Sequence, residues 1–198
     1  SFDVVTCQTV LIHVADVPAA LQEALRVLKP GGLFCAAEPN NLACSLVNLS
    51  MYPQIPWSER SALLDFQHTC EAGKIALGRG DSSVGDALPY LFRQAGLQSI
   101  QVFSNDKCAD LVPPYDRPDQ KLDLDQWLSW YRAQIWPSAG MESDARELFL
   151  AGGGNEAEFA DNWERVMRRQ QHVIDAAEQG TLHGARGFTT YLVSGRKS

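Results

Sequence analysis

The chain has 198 residues, of which 45% are hydrophobic and 21% are charged, and its formal net charge is −7. These values are typical of one globular domain with a sizeable core. The negative charge argues against a nucleic-acid groove, which needs clustered Lys and Arg, and no apolar run approaches the ~20 residues of a membrane span. The five cysteines are odd in number and form no CxxC pair, which favours reduced thiols in a cytoplasmic protein.

The N-terminal stretch predicts a strand, a helix and a second strand. Residues 4–7 are mostly apolar and β-branched, as in a strand buried on both faces. Asp16 is the predicted N-cap of a helix with one apolar face, and the Lys-Pro-Gly-Gly sequence of residues 29–32 ends that helix. Residues 33–37 form a second buried run. Two strands joined by a helix in this way predict a right-handed parallel βαβ unit.

Residues 2–39 also carry a family resemblance, in the string FDVVTCQTVLIHVADVPAALQEALRVLKPGGLFCAAEP. The string resembles the second half of a class I S-adenosylmethionine-dependent methyltransferase of the small-molecule type, from strand 4 of that fold onward. The LKPGG turn after an amphipathic helix is a fairly specific part of the pattern. The resemblance implies an α/β fold with a Rossmann-like doubly wound sheet, mostly parallel with an antiparallel last strand. It also implies S-adenosylmethionine as cofactor and a small molecule as methyl acceptor.

The resemblance continues to the end of the chain. The string LPYLFRQAGLQSIQVF resembles the family's helix E and strand 6, and GFTTYLVSGRK resembles its strand 7. Strands at residues 3–7, 33–37, 99–104 and 188–193 are therefore expected to share one sheet, with the last strand antiparallel to the others. The polar, helical pattern of residues 106–185 predicts an insertion that covers the carboxyl edge of the sheet as a lid.

Several helices are predicted outside the βαβ unit from caps and apolar spacing. A short helix is expected at residues 58–66, one begins at Asp123, and a long one is capped by Asn155.

In the family, a glycine-rich cofactor loop follows the first strand, and an acidic, ribose-binding residue follows the second. Both features precede the segment that opens this chain. Residues 1–198 are therefore interpreted as one methyltransferase-like domain that is incomplete at its N-terminus. The chain is expected to bind S-adenosylmethionine weakly or not at all by itself, because the strand end that remains contacts only the methionine half of the cofactor.

The resemblance places that methionine half at the end of the first strand, which gives Cys7, Gln8, Thr9 and His13 as predicted cofactor-binding residues. In open α/β sheets the ligand lies outside the carboxyl ends of the strands. The alternative to cofactor binding is that the Gln8 side chain only caps the end of the strand. His13 matches a histidine of the family's L-x-H-V pattern. Its first expected role is to orient the loop by hydrogen bonding to the backbone, and it is also the candidate catalytic residue, as a base.

The predicted substrate-binding residues are Glu38, Tyr52, Trp57 and His68. In the family the loop after strand 5 borders the substrate pocket, which makes Tyr52 and Trp57 pocket candidates. A role in sealing the sheet edge suits these two aromatic residues equally well. A base is needed only for a hydroxyl, protonated amine or carbon-acid acceptor, and the candidates are His13, Glu38, Asp65, His68 and His183.

Other chemistries lack their sequence signals. Asp65, His68 and Cys70 have loosely metal-like spacing, but no fourth ligand is near and no metal is predicted. No GxSxG, Walker or HExxH motif occurs, and the glycines of residues 78–83 do not form a dinucleotide loop. A non-catalytic binding or scaffold protein on a truncated methyltransferase fold is the main alternative, and another doubly wound enzyme such as a dehydrogenase is the third. The assembly is left open, with a homodimer as one candidate.

Overall fold

The structure is a computed structural model, and it describes residues 1–49, 55–105, 108–187 and 189–198, without the side chains of residues 46–49 and 186. The chain forms two compact units. The sheet unit contains residues 1–44, 78–106 and 188–198, and the helical unit contains residues 45–77 and 107–187.

The described strands are β1 Phe2–Gln8, β2 Leu28–Pro39, β3 Gln98–Ser104, β4 Ala109–Leu111, β5 Gly184–Arg186 and β6 Thr190–Arg196. The α-helices are α1 Val17–Val27, α2 Asn41–Leu49, α3 Trp57–Ala76, α4 Leu88–Gln94, α5 Pro118–Arg132, α6 Glu142–Ala151 and α7 Glu156–Glu178. Two short 3-10 helices lie at Leu11–His13 and Val84–Ala87. None of the described helices is both long enough and apolar enough to cross a membrane.

The sheet unit contains a four-stranded sheet in the order β1-β2-β6-β3. β1 runs parallel to β2, and β6 runs antiparallel to both of its neighbours. The predicted sharing of one sheet, with the last strand antiparallel, is therefore confirmed. The fold is α/β and Rossmann-like, with the last strand inserted between β2 and β3.

The helix between β1 and β2 forms as the sequence predicts. The Asp16 side chain accepts a hydrogen bond from the Ala19 amide at 2.9 Å, which satisfies one of the free amides at the start of α1. The apolar face of α1 packs into a buried cluster on one side of the sheet, where Phe34 and Phe92 stack with ring centroids 5.1 Å apart. That cluster is the core of the sheet unit.

The prediction that β1 is buried on both faces is wrong for the structure described. Phe2 is 60% exposed and Val4 is 53% exposed. Among the described strands β1 pairs with β2 alone, because it stands at the end of the sheet order. Val5 and Cys7 point to the opposite face, where they pack against the core cluster.

The second strand is longer than the predicted residues 33–37. It begins directly after α1 at Leu28, which pairs with Phe2, and the register then shifts so that Leu33 pairs with Val4. The turn residues between these two pairs bulge out of the ladder. They bond instead to the end of the chain, since the Gly31 amide donates to the Lys197 carbonyl at 2.9 Å.

The helical unit is built on α3, α5, α6 and α7. Two of its helices begin earlier or run further than predicted: α3 continues to Ala76 instead of ending at residue 66, and α5 begins at Pro118 instead of Asp123. The cap predicted for α7 is confirmed, because the Asn155 side chain accepts from the Glu158 amide at 3.1 Å. The role of this unit as a lid stays a prediction.

The described part of residues 106–185 is mostly helical, as predicted, but it also contains two short strands that the sequence does not predict. A short antiparallel ladder joins β4 to β5, near the two ends of the segment. Leu111 in β4 is fully buried in an apolar cluster of the helical unit, beside Leu128, Val173 and Leu182. A buried strand of three residues is too short to produce a recognisable alternation in the sequence.

Candidate functional site

The candidate site lies at the carboxyl edge of the sheet, where β1 and β2 end. The two strands are parallel, so their carboxyl ends meet at the same edge, which is the ligand-binding edge of open α/β sheets. The Thr9 amide donates to the Ala37 carbonyl at 2.9 Å and extends the pairing one residue beyond β1. Gln8 and Thr9 are therefore the last residues held by the sheet before the chain turns away.

The loop after β1 presents three polar side chains to solvent. Thr9 adopts a left-handed conformation with φ 50°, and residues 11–13 then form the 3-10 helix. Leu11 and Ile12 are buried in the core cluster, which anchors the loop. The side chains of Gln8, Thr9 and His13 stay exposed, and they offer an amide, a hydroxyl and an imidazole at the sheet edge.

Glu38, near the end of β2, is fully buried beneath this loop. Its Oε1 accepts from the amides of Val10 at 3.0 Å and Leu11 at 3.1 Å, and its Oε2 accepts from the Ile12 amide at 3.4 Å. The sequence predicts Glu38 as a substrate-binding residue and a candidate base. In the structure both carboxylate oxygens are instead engaged with backbone amides, and no atom of the residue is exposed.

Cys7 lies next to Glu38 on the core side of the sheet. Burial is the main reason why the pKa of the Cys7 thiol is raised to about 12, and the negative charge and hydrogen bonding of Glu38 raise it further. The thiol is therefore protonated at neutral pH. The predicted role of Cys7 in cofactor binding stays a prediction, and its backbone is the part of the residue closest to the sheet edge.

We expect Cys7 and Cys70 to resist alkylation by iodoacetamide at about pH 8, while Cys108 reacts readily, because only the thiolate is nucleophilic. Burial raises the pKa of Cys70 to about 12 as well, whereas Cys108 is exposed. Peptide mass spectrometry after a timed reaction measures this order. Modification of Cys7 as fast as Cys108 would contradict it, and denaturant should abolish the difference.

The raised thiol pKa values also give a pH dependence of stability. Above the ordinary thiol pKa of 9.0 the unfolded chain loses thiol protons that the folded chain keeps. The free energy of unfolding should therefore fall as the pH rises from about 9 toward 12.

A turn at residues 78–83 supports the loop from its other side. Gly80 packs so closely that a Cβ there would collide with the Ile12 carbonyl oxygen and would lie 2.8 Å from the carbonyl carbon of His13. The φ of Gly80 is +85°, in the left-handed region that favours glycine. The loop is therefore held between the carboxylate of Glu38 and the backbone of Gly80. The sequence signal for this contact is the glycine pair flanking Arg79, which suits a turn.

Sequence reasoning missed the hydrogen bonds that the Asn40 side chain makes directly after β2. The Asn40 side chain accepts from the Ala43 amide at 2.9 Å, which caps α2, and donates to Asp86 Oδ2 at 3.1 Å. The Thr189 amide, just before β6, donates to the Cys44 sulfur at 3.0 Å. The only local sequence signal for these hydrogen bonds is Asn40 itself, because asparagine is a preferred helix-capping residue.

The remaining predicted substrate residues do not lie in the sheet unit. Trp57 and His68 are both exposed on α3, and Trp57 is 79% exposed with the Arg60 guanidinium 5.0 Å from its ring centroid. Their separation of eleven residues puts them on one face of the helix, ~16 Å apart along its axis. Tyr52 falls outside the described residues. The roles of all three stay predictions.

The described residues contain no group of three His, Cys, Asp or Glu side chains that could hold a metal ion. Asp65 and His68 are exposed, whereas Cys70 is buried and its sulfur donates to the Ala145 carbonyl at 3.7 Å. Helical geometry explains the separation, because residues 65 and 70 point in directions more than a third of a turn apart.

The N-terminal part of the chain matches a known protein family. Residues 1–36 match the model of a family described as a methyltransferase domain. The matched segment contains β1, the loop, α1 and most of β2, so the resemblance to a methyltransferase is confirmed there. No curated protein matches the chain.

The solved structures that are similar to the chain include the following three, all at low identity. A proposed methyltransferase from Bacillus halodurans C-125 is 11% identical with a TM-score of 0.42, and the match covers 99% of this chain and 64% of that one. Phosphoethanolamine N-methyltransferase 2 from Haemonchus contortus is 12% identical in two complexes. In the complex with S-adenosylmethionine the TM-score is 0.37, and the match covers 100% of this chain and 33% of that one. In the complex with phosphomonomethylethanolamine and S-adenosylhomocysteine the TM-score is 0.34, and the match covers 100% of this chain and 34% of that one. The chain thus spans less than two thirds of each, and similarity at this level assigns no function.

Proposed function

We propose that this chain is part of an S-adenosylmethionine-dependent methyltransferase that acts on a small molecule. One observation carries the proposal: residues 1–36, which match a methyltransferase domain, build the polar edge formed by the end of β1 and its loop. The order β1-β2-β6-β3 with β6 antiparallel supports it, since the class I resemblance implies a mostly parallel sheet with an antiparallel last strand.

The groups exposed at this edge fit the methionine half of the cofactor. That half carries an ammonium and a carboxylate, which need acceptors and donors respectively. The Gln8 side-chain amide offers both, and the Thr9 hydroxyl, which donates to the Gln8 carbonyl at 2.8 Å, has lone pairs to accept with. Glu38 is engaged with the loop amides, so it does not compete for the ammonium.

When bound, the cofactor would supply an electrophilic methyl group on a sulfonium. In-line displacement at such a group needs alignment above all, and proximity and orientation can supply ~7–11 kcal/mol of a barrier of this kind. The chain contributes a loop that is fixed on two sides, by Glu38 and by Gly80, and that holds Gln8 and Thr9 in one geometry. His13 is exposed on the same loop and could accept a proton from a hydroxyl or ammonium acceptor.

Calorimetric titration with two ligands tests this proposal. S-adenosylmethionine carries the amino-acid group that the edge is proposed to bind, whereas methylthioadenosine lacks it. We expect S-adenosylmethionine to bind, even if only at millimolar concentration, and methylthioadenosine to bind about tenfold more weakly or not at all, as for the loss of one charge-assisted contact.

The Gln8→Ala variant tests in the same titration whether the Gln8 side chain binds the methionine half. It should weaken binding of S-adenosylmethionine and leave binding of methylthioadenosine unchanged, because it removes only the amide at the edge. Equal affinity for the two ligands in the unsubstituted protein would contradict a methionine-binding edge. The edge is proposed to contact only the methionine half, so binding is sought at millimolar concentration, and no binding there would contradict the methionine-binding edge and favour the scaffold alternative.

A further inference from the structure

We infer that Glu38 is a positioning residue: its buried carboxylate fixes the loop after β1 and thereby sets the geometry of Gln8 and Thr9 at the cofactor edge. The inference rests on the proposed function, and it assigns Glu38 a role other than contact with the acceptor or removal of a proton. The loop and the carboxylate are brought together by the fold alone, since 26 to 28 residues separate Glu38 from its three partners.

The Glu38 carboxylate accepts from the amides of Val10 and Leu11 at the start of the 3-10 helix. They belong to the first residues of a 3-10 helix, where the leading amides lack acceptors within the helix. Leu11 and Ile12 are buried, so their backbone amides are shielded from water. A buried amide without a partner costs about 1–3 kcal/mol, so the carboxylate makes this loop conformation possible.

Glu38 is itself held rigidly. Its strand pairs with β1 on one side and with β6 on the other, where Glu38 faces Tyr191. Gly85 packs against its backbone so closely that a Cβ would collide with the Glu38 carbonyl oxygen. The Val10 amide donates to this fixed carboxylate, which restrains Val10, the residue directly after Thr9. The end of β1 is thus held by its own ladder and by β2 through the side chain of Glu38.

The Glu38→Gln variant tests the inference. Glutamine keeps the size of the side chain, but one of its two terminal atoms is a donor, which would face at least one loop amide. We expect hydrogen exchange at the amides of residues 10–12 to become at least about tenfold faster. The affinity for S-adenosylmethionine should fall about tenfold, while that for methylthioadenosine should not change.

Glu71→Gln is the control variant, because Glu71 is also a buried glutamate but lies in the helical unit. It should leave both the exchange of residues 10–12 and the affinity for S-adenosylmethionine unchanged. If Glu38→Gln does not fold, Glu38→Asp replaces it, since the shorter side chain keeps the charge but cannot reach all three amides.

The outcomes separate this inference from the proposed function. Unchanged exchange at residues 10–12 in the Glu38 variant would overturn the inference, whatever the protein binds. Faster exchange with an unchanged affinity for S-adenosylmethionine would also overturn it, because the loop would then be ordered by Glu38 without serving the site. If the unsubstituted protein binds no S-adenosylmethionine at millimolar concentration, the methionine-binding edge is contradicted, and with it the positioning role.

Discussion

Replacement of Gly80 by alanine is expected to lower the free energy of unfolding of the sheet unit by about 2–5 kcal/mol and to displace the loop after β1. Two effects add. A φ of +85° strains any residue with a Cβ by about 1–2 kcal/mol, and the new Cβ would also collide with the Ile12 carbonyl. The obstacle is backbone, so it cannot move aside as a flexible side chain could. Denaturant titration followed by circular dichroism measures the loss.

Gly96→Ala is the matched control for the Gly80 variant. Its φ of +95° imposes a similar strain, but in the described part of the chain a Cβ there meets no heavy atom within 4 Å. We expect this control to cost only the conformational term of about 1–2 kcal/mol and to leave binding of S-adenosylmethionine unchanged. Equal losses of stability in the two variants would show that Gly80 does not support the loop by close packing.

Replacement of Phe66 by alanine is expected to destabilise the helical unit by about 3–5 kcal/mol. Phe66 is fully buried at the centre of an aromatic cluster, with ring centroids 5.0 Å from Trp136, 4.9 Å from Phe149 and 5.9 Å from Phe159. Its removal would leave a cavity lined by rigid rings, which cannot collapse to fill it. Tryptophan fluorescence during denaturation is a direct measure, because Trp136 stacks on Phe66.

Ile75→Ala on the same helix is the control for Phe66. Ile75 is 54% exposed, and surface substitutions of this kind usually change stability by no more than about 0.5 kcal/mol. A loss for Phe66→Ala that is no larger than the loss for this control would contradict the position of Phe66 at the centre of the cluster.

The sheet unit was predictable because its signals are local. Asp16 caps α1 directly before an apolar period of 3.6 residues, and Val5 and Phe34 stand in short apolar runs. The antiparallel last strand could be placed only through the family resemblance, since no local pattern states which strands pair.

Much of α3 could not be predicted, because its buried face contains polar residues. Leu63, Phe66 and Cys70 follow helical spacing, but Gln67 and Glu71 share the same buried stripe. These polar residues hide the apolar period on which helix prediction depends. The start of α5 was missed for the same reason, since Gln120 is buried in its first turns.

The candidate site was predicted only in part. The end of β1 follows from the resemblance and from the topology of parallel strands, but the contact between Glu38 and the loop amides does not. A glutamate at the end of a strand is usually solvent-exposed, and nothing in one sequence shows that this one is buried. The sequence likewise predicts only a turn at Gly80, and its contact with Ile12 is seen only in the structure.

The central claim is that the edge formed by the end of β1 and its loop binds the methionine half of S-adenosylmethionine. The most direct test is a titration of the protein with S-adenosylmethionine that is followed through its backbone amide resonances by NMR. The largest shifts are predicted for residues 8–13, with smaller shifts or none when methylthioadenosine is added instead. Shifts confined to other parts of the chain, or none at residues 8–13 with millimolar S-adenosylmethionine, would contradict the claim.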